Sequence, residues 1–281
     1  MTPAMQATLA DISAPAVADE NPIDTQALRP IACGEMVRLG SPNDGGYVVP
    51  LDAIRQAGAL VSFGLRFDWN FERDFHRLNP DAPIHCYDHT VSARGALFFS
   101  ATESLRFLTS LRPRALRSAM TWLDYRRFFR GDVTHFQQRI WRDRNNNSAT
   151  VSDALARVAG RGPVFLKIDI EGSEYRIMDD VLENANAVGA IAIEFHDLDV
   201  YPERFNETVA AMSRDFHVVH VHANNYADLS PFGFPGAIEL TFINKRMVTH
   251  EPVIAAQRYP VPGLDQPNDP ASPDYEFHFR A

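Results

Sequence analysis

Two stretches of this chain bring acids and an imidazole together at the ends of apolar runs. In the first, Val164, Phe165, Leu166, Lys167 and Ile168 lead into Asp169, Ile170, Glu171 and Gly172. In the second, Ala190, Ile191, Ala192 and Ile193 lead into Glu194, Phe195, His196 and Asp197. Carboxylates and imidazoles held together can move protons near neutral pH. The mixed set of Asp169, Glu194, His196 and His222 also suits Mg²⁺ or Mn²⁺ with coordination positions left open. A lone histidine at a strand end is more often a structural hydrogen-bonder; the grouping is what points to chemistry.

The elements that must position these groups are short buried strands. The run at 164–168 has β propensity, and from Ser173 the apolar period becomes helical through Tyr175, Met178 and Leu182. A strand thus ends, two carboxylates appear at its tip and a helix leaves. In open α/β sheets that edge is where ligands sit. Ala59 to Gly64 reads as the first core strand, running into a glycine. Pro83 to Asp88 reads as the next, and Asp88 lies 24 positions beyond Gly64, which fits a carboxylate accepting ribose hydroxyls. A plain turn aspartate is the alternative. The G-x-G-x-x-G of a dinucleotide site is absent. Asp68 is either a cap for the helix starting near Asn70 or a cofactor contact.

Upstream, Asp44-Gly45-Gly46-Tyr47 predicts a hairpin turn whose glycines let backbone approach a ligand, with Asp44 and Tyr47 offering polar groups. Further helices are expected over 51–56, over 150–158 with Thr150 or Ser152 as cap, and from Pro202 to Met212. A strand is expected within 128–136, with Asp132 at a cofactor-facing turn. Strands are also expected at 216–222, where His220 and His222 share one face, and at 237–243. The last two are separated by a segment too short and too irregular for a parallel crossover, so they pair antiparallel.

Residues 94–130 hold eight arginines and two acids. They read either as a solvated helical face or as a patch for an anionic acceptor. The tail from Pro252 is proline-rich and reads as an extended arm lying on the body or as a disordered segment. The organisation expected is a flexible start over 1–25, one domain over 26–250 with a helical insertion at 94–130, and an arm over 251–281.

The segment KIDIEGSEYRIM, from Lys167 to Met178, resembles the signature of the FkbM-type methyltransferases. These are S-adenosylmethionine-dependent O-methyltransferases with a Rossmann-like fold. The DGGY segment at 44–47 and the SFG…FDWNFE pattern at 62–72 are similar to upstream motifs of such proteins, although the glycine-richer form common in the group is missing here. The resemblance implies an α/β Rossmann-like methyltransferase sheet, mostly parallel with an antiparallel last strand. It implies S-adenosylmethionine as cofactor, held by Gly64, Asp68, Asp88, Asp169 and Glu171. Asp44, Gly45, Gly46 and Tyr47 would face the acceptor, a hydroxyl of a sugar, glycan, sugar nucleotide or surface polysaccharide. His196 is the first choice of base and Asp169 the second.

The composition is that of an ordinary globular protein, and a formal charge of −9 argues against a general nucleic-acid binder. Cys33 and Cys86 form no metal-ligand spacing, and a reduced cytoplasmic setting is expected. No apolar run reaches membrane-spanning length. A nicotinamide oxidoreductase on the same layout, a metal-dependent hydrolase and a non-catalytic sugar- or nucleotide-binding Rossmann-like protein are the rival readings. The sequence leaves the oligomeric state open.

Overall fold

The computed structural model describes residues 21–98, 100 and 120–279. The chain opens with the hairpin of β1 (Met36–Gly40) and β2 (Gly46–Pro50). Helix α1 (Leu51–Gln56) leads to β3 (Ala59–Phe63), α2 (Asn70–Leu78) and β4 (Ile84–Tyr87). Residues 93–98 are helical. Then come α3 (Thr121–Phe128), β5 (Val133–Phe136) and the short pair β6 (Arg139–Ile140) and β7 (Ser148–Ala149). Helix α4 (Val151–Ala156) precedes β8 (Val164–Ile168), α5 (Met178–Glu183) and β9 (Val188–Phe195). Helix α6 (Pro202–Met212), β10 (Phe216–Ala223) and β11 (Ile238–Asn244) follow.

Seven strands form one sheet in the order β10-β11-β9-β8-β3-β4-β5. β3 pairs in parallel with β4 and β8, β8 with β9, and β4 with β5, while β11 runs antiparallel to both β9 and β10. The mostly parallel sheet with its inserted antiparallel strand is the Rossmann-like methyltransferase fold. The local chemistry agrees with it. Thr150 caps α4 with a reciprocal bond from Asp153, and Pro202 opens α6 where its missing N–H costs nothing.

Alternation along the strands sorts side chains onto two faces. Val61, Phe63, Leu166, Ile168, Ile191 and Ile193 enter one core cluster; Leu60, Phe165, Ala190 and Ala192 enter the other. The second face, covered by α2 and the β1–β2 hairpin, is also where Lys167, Glu194 and Glu239 project. Glu194 stands directly opposite Glu239, and Glu239 opposite His222. A row of ionisable groups therefore crosses three strands on one face, and all three of those side chains are buried.

Three expectations change. Asp132 precedes β5, and its carbonyl accepts from the Ile84 amide, so it sits at the sheet edge opposite Gly64 and Asp88. The helix expected from Ser173 is broken into a 3-10 turn, Glu174–Arg176, and the short α5. Ile23 and Leu28 are fully buried, so packed chain starts inside the segment expected to be flexible. The arginine-rich insertion falls largely on 101–119, outside the described residues; among the eight, Arg94, Arg126, Arg127 and Arg130 are described. The chain from Pro252 lies along the body and bridges Ile254 to Ile31 and Tyr259 to Phe277. Among the described residues no helix is long and apolar enough to cross a membrane.

Candidate active site

The C-terminal tips of β3, β4 and β8 open into a cavity of about 440 Å³ lined by Gly64, Asp88, Ile140, Trp141, Asp169 and Glu171, among others. Gly64 sits at φ +82°, and a Cβ there would fall 1.7 Å from the Asp169 carbonyl oxygen. The glycine is therefore required by the approach of the β8 loop. Asp88 Oδ2 accepts from the amides of Leu65 at 2.8 Å and Arg66 at 2.9 Å. Its Oδ1 accepts from the Thr90 amide at 2.7 Å and the Thr90 hydroxyl at 2.6 Å. Burial would raise this carboxyl, but the Thr90 hydroxyl and the three amides of Leu65, Thr90 and Arg66 outweigh it and hold it below its usual range. Asp88 thus clamps the loop after β3, and its acceptor positions are used by the chain itself. The guanidinium groups of Arg139 and Arg176 lie over the Trp141 ring, at 4.5 and 5.0 Å from its centroid.

A second cavity, of about 460 Å³, opens beside the first. Lys167, Asp169, Glu194 and His196 line it. Lys167 Nζ lies 3.1 Å from Asp169 Oδ2 and donates to the Gly64 carbonyl at 3.0 Å. Burial would lower this ammonium, but Asp169 and Glu72 hold it above its usual value. Asp169 is in turn lowered against its burial, chiefly by Lys167. Glu194 accepts from Asn224 Nδ2 at 2.5 Å and from the Tyr47 hydroxyl at 3.4 Å. Burial first, and then Asp169 and Glu239, push it up to about 8. His196 presents Nδ1 to Glu174 Oε1 at 3.1 Å, leaving Nε2 at 3.9 Å from both Glu194 Oε1 and Glu171 Oε2. Burial would lower the ring, but Glu174, Glu194 and Asp169 raise it to about 9. At neutral pH the imidazole holds a proton, which is the wrong state for a base acting alone.

Arg66, Asp169 and Glu171 line both cavities. Arg66 Nη1 meets Glu171 Oε1 at 3.1 Å. Both residues adopt left-handed backbone, Arg66 at φ +48° and Glu171 at φ +55°. Non-glycine residues in that region cluster where a fold over-determines a functional loop.

Among the residues singled out from sequence, Asp169, Glu194 and His196 converge, each with a ligating atom within 4.8 Å of the others. His222 does not join them, because its two nitrogens face Glu239 at 3.1 Å and Asp274 at 3.0 Å. Asp68 lines the second cavity; its Oδ1 accepts from the Asn70 amide at 2.9 Å and its Oδ2 from the Ser41 hydroxyl. Asp44 and Gly45 also line that cavity. Gly46 instead makes room for the Arg38 guanidinium, and Tyr47 is buried beneath Glu194 with its ring against Lys167.

Sequence reasoning passed over Lys167, Glu174, Glu239, Asn224 and Trp141. Glu174 is fully buried, and its Oε1 accepts from the Ile170 and Gly172 amides at 3.1 and 3.2 Å as well as facing His196. The signal for Lys167 was a lone cation inside an apolar strand, which has to find an acid.

The chain matches none of the protein-family models compared with it, and no curated protein matches it. Among solved structures it is similar to a fibrillarin pre-rRNA processing protein of Methanococcus jannaschii, at 11% identity over 68% of each chain with a TM-score of 0.35. It is similar to a precorrin-6y C5,15-methyltransferase of Geobacter metallireducens, at 13% identity over 69% of this chain and 86% of that one, with a TM-score of 0.35. A predicted O-methyltransferase of Agrobacterium tumefaciens aligns at 15% identity over 69% of this chain and 80% of that one, with a TM-score of 0.31. Likeness at this depth says nothing about activity.

Proposed function

We propose that this protein is an S-adenosylmethionine-dependent O-methyltransferase acting on a hydroxyl of a sugar or glycan. The observation behind this reading is the pair of adjoining cavities that share Arg66, Asp169 and Glu171 at the carboxyl ends of the central strands. The cavity beside Gly64 and Asp88 fits the donor. It has an apolar wall in Ile140 and Ile170, and the carboxylates of Asp169 and Glu171 suit a sulfonium. Bound there, the donor supplies a methyl group for in-line displacement by an acceptor oxygen.

The rest falls to the chain's own groups. Asp88 fixes the floor loop by holding the Leu65 and Arg66 amides. Asp44, Gly45 and Asn224 line the acceptor side, and Lys167 holds Asp169 ionised and in place. Glu194, His196 and Asp169 form the proton-handling cluster. Asp169, kept ionised by Lys167, accepts the acceptor proton, with protonated His196 offsetting the negative charge beside it. The same three residues offer two oxygens and the Nε2 of a histidine whose Nδ1 is fixed by Glu174, a donor set that fits Mg²⁺ or Mn²⁺. A divalent ion there would lower the pKa of an acceptor hydroxyl.

The competing reading, a non-catalytic sugar- or nucleotide-binding protein, draws on one observation: the Asp88 carboxylate is filled by backbone amides and the Thr90 hydroxyl, so it has little left for a ribose. The experiment that separates the two uses methyl-labelled S-adenosylmethionine with a panel of neutral and phosphorylated sugars and glycans, with and without Mn²⁺. Label transfer that Asp169→Asn removes supports the enzyme. Binding of sugars with no transfer to any acceptor favours the alternative.

A further inference from the structure

The polar face of the sheet continues past Glu194 into buried ionisable groups that the proposed reaction does not use. His220 Nε2 lies 2.8 Å from Asp265 Oδ1, and both side chains are 3% exposed. His222 sits between Glu239 and Asp274, at 3.1 and 3.0 Å. Asn268 Nδ2 donates to the other Glu239 oxygen at 2.7 Å. The histidines and Glu239 belong to β10 and β11; Asp265, Asn268 and Asp274 belong to the C-terminal arm.

The same stretch of arm holds two rims of the 460 Å³ cavity. The Pro267 carbonyl accepts from Asn43 Nδ2 at 2.7 Å, next to Asp44. Asn225 donates to the carbonyls of Asp269, Ser272 and Pro273 at 3.1, 3.2 and 3.1 Å and accepts from the Asp269 amide at 2.7 Å. The Tyr275 hydroxyl donates to the Ala227 carbonyl at 3.2 Å. Asp44, Asn224, Tyr226 and Ala227 all line the cavity. Among the described residues no hydrogen bond joins the arm to the Asp88 loop.

We infer that residues 261–275 are a strap that sets the shape of the acceptor-side cavity, latched to the sheet through His220 and His222. That the cavity takes an acceptor rests on the proposed function; that the strap shapes it does not. The logic is one of desolvation. An imidazole and a carboxylate buried together are tolerable, while either left alone is costly. The arm therefore docks with its latches engaged or comes off the face, and the turn at 43–45 and the loop at 224–236 follow it. A proline-rich segment suits the task, because it loses little conformational freedom on docking.

The test is hydrogen exchange on the full chain, wild type against Asp265→Asn/Asp274→Asn. Loss of charge-assisted bonds predicts exchange roughly tenfold faster or more in 41–46 and 224–236. Exchange in 84–91, at the Asp88 loop, stays unchanged. Faster exchange in the arm without any change at 41–46 and 224–236 overturns the inference, as does an equal rise at 84–91, which would mark the arm as a general stabiliser. Asn225→Ala leaves both latches in place and removes the four bonds between the Asn225 side chain and the arm, so it decides the matter if the double variant does not fold. Faster exchange in 224–236 with 261–266 unchanged supports the strap, and no change there contradicts it. Titration with S-adenosylhomocysteine is run on the same samples. Wild type that fails to bind it would sink the methyltransferase reading and leave the exchange result standing.

Discussion

Asp88 and Glu194 are both buried carboxylates at or near strand ends, one beside each cavity, and they have opposite surroundings. Asp88 is ringed by backbone amides and the Thr90 hydroxyl, which hold it ionised and below its usual range. Glu194 faces other carboxylates with neutral donors in Asn224 and Tyr47, and is pushed up to about 8. Amides stabilise charge without taking part in chemistry, so Asp88 is a structural clamp. Carboxylates crowded together sit near the point of exchanging protons or accepting a cation, which is why the proposed function puts Glu194 on the reacting side. An acid at a strand tip is therefore assigned by what faces it, and less by its position.

The largest effect expected concerns the cation that holds the two sides together. Lys167→Met leaves Asp169 without its ammonium and should cost roughly 3–5 kcal/mol in urea unfolding, as for breaking a buried pair. A cost under about 1 kcal/mol would show that water or His196 replaces it. Next, Asp88→Ala strands the Leu65, Arg66 and Thr90 amides and should cost roughly 2–3 kcal/mol by the same measurement. A cost that small substitutions at exposed sites also produce would remove the clamp from the account.

The pH dependence separates the two carboxylates more finely. The folded-state value of Glu194 is raised, so the fold favours its neutral form. Its contribution is greatest at low pH and is lost between about 4.5 and about 8. The stability difference between wild type and Glu194→Gln, measured on metal-stripped protein, should therefore shift against wild type across that window and stay flat outside it. His222 is raised to about 10 by Asp274 and Glu239 against its burial. Its contribution is complete below about 6.5 and is lost as pH rises through about 10, so Asp274→Asn should flatten the alkaline limb alone. The smallest effect belongs to the exposed Arg66–Glu171 pair: Arg66→Ala should change stability by less than about 1 kcal/mol.

Much of this was legible in the sequence. The strand at 164–168, the acids after it and the antiparallel close at 237–243 followed from period, length and turn chemistry, which are local. So did the convergence of Asp169, Glu194 and His196, because neighbouring parallel strands bring their tips to one edge. Partners set by register were not legible. Lys167 and Glu239 stand out as charges within apolar strands, but only the sheet order shows that Glu239 faces Glu194 and His222. His222 was expected among the metal-binding acids because it shares their sheet edge. One strand, β11, lies between its strand and the one that leads to His196, and the arm, distant in sequence, supplies its partner instead. Glu174 was hidden inside a motif whose more exposed acids, Asp169 and Glu171, drew the functional reading.

In the proposed function the cavity at Gly64 and Asp88 takes the methyl donor and the neighbouring one takes the acceptor. Calorimetric titration with S-adenosylhomocysteine tests it most directly, on wild type, Asp88→Ala and Glu194→Gln. The expected result is one saturable site in wild type, affinity at least about tenfold weaker in folded Asp88→Ala, and affinity within about twofold of wild type in Glu194→Gln. No binding to folded wild type, or equal losses in both variants, would contradict the division of the site into a donor side and an acceptor side.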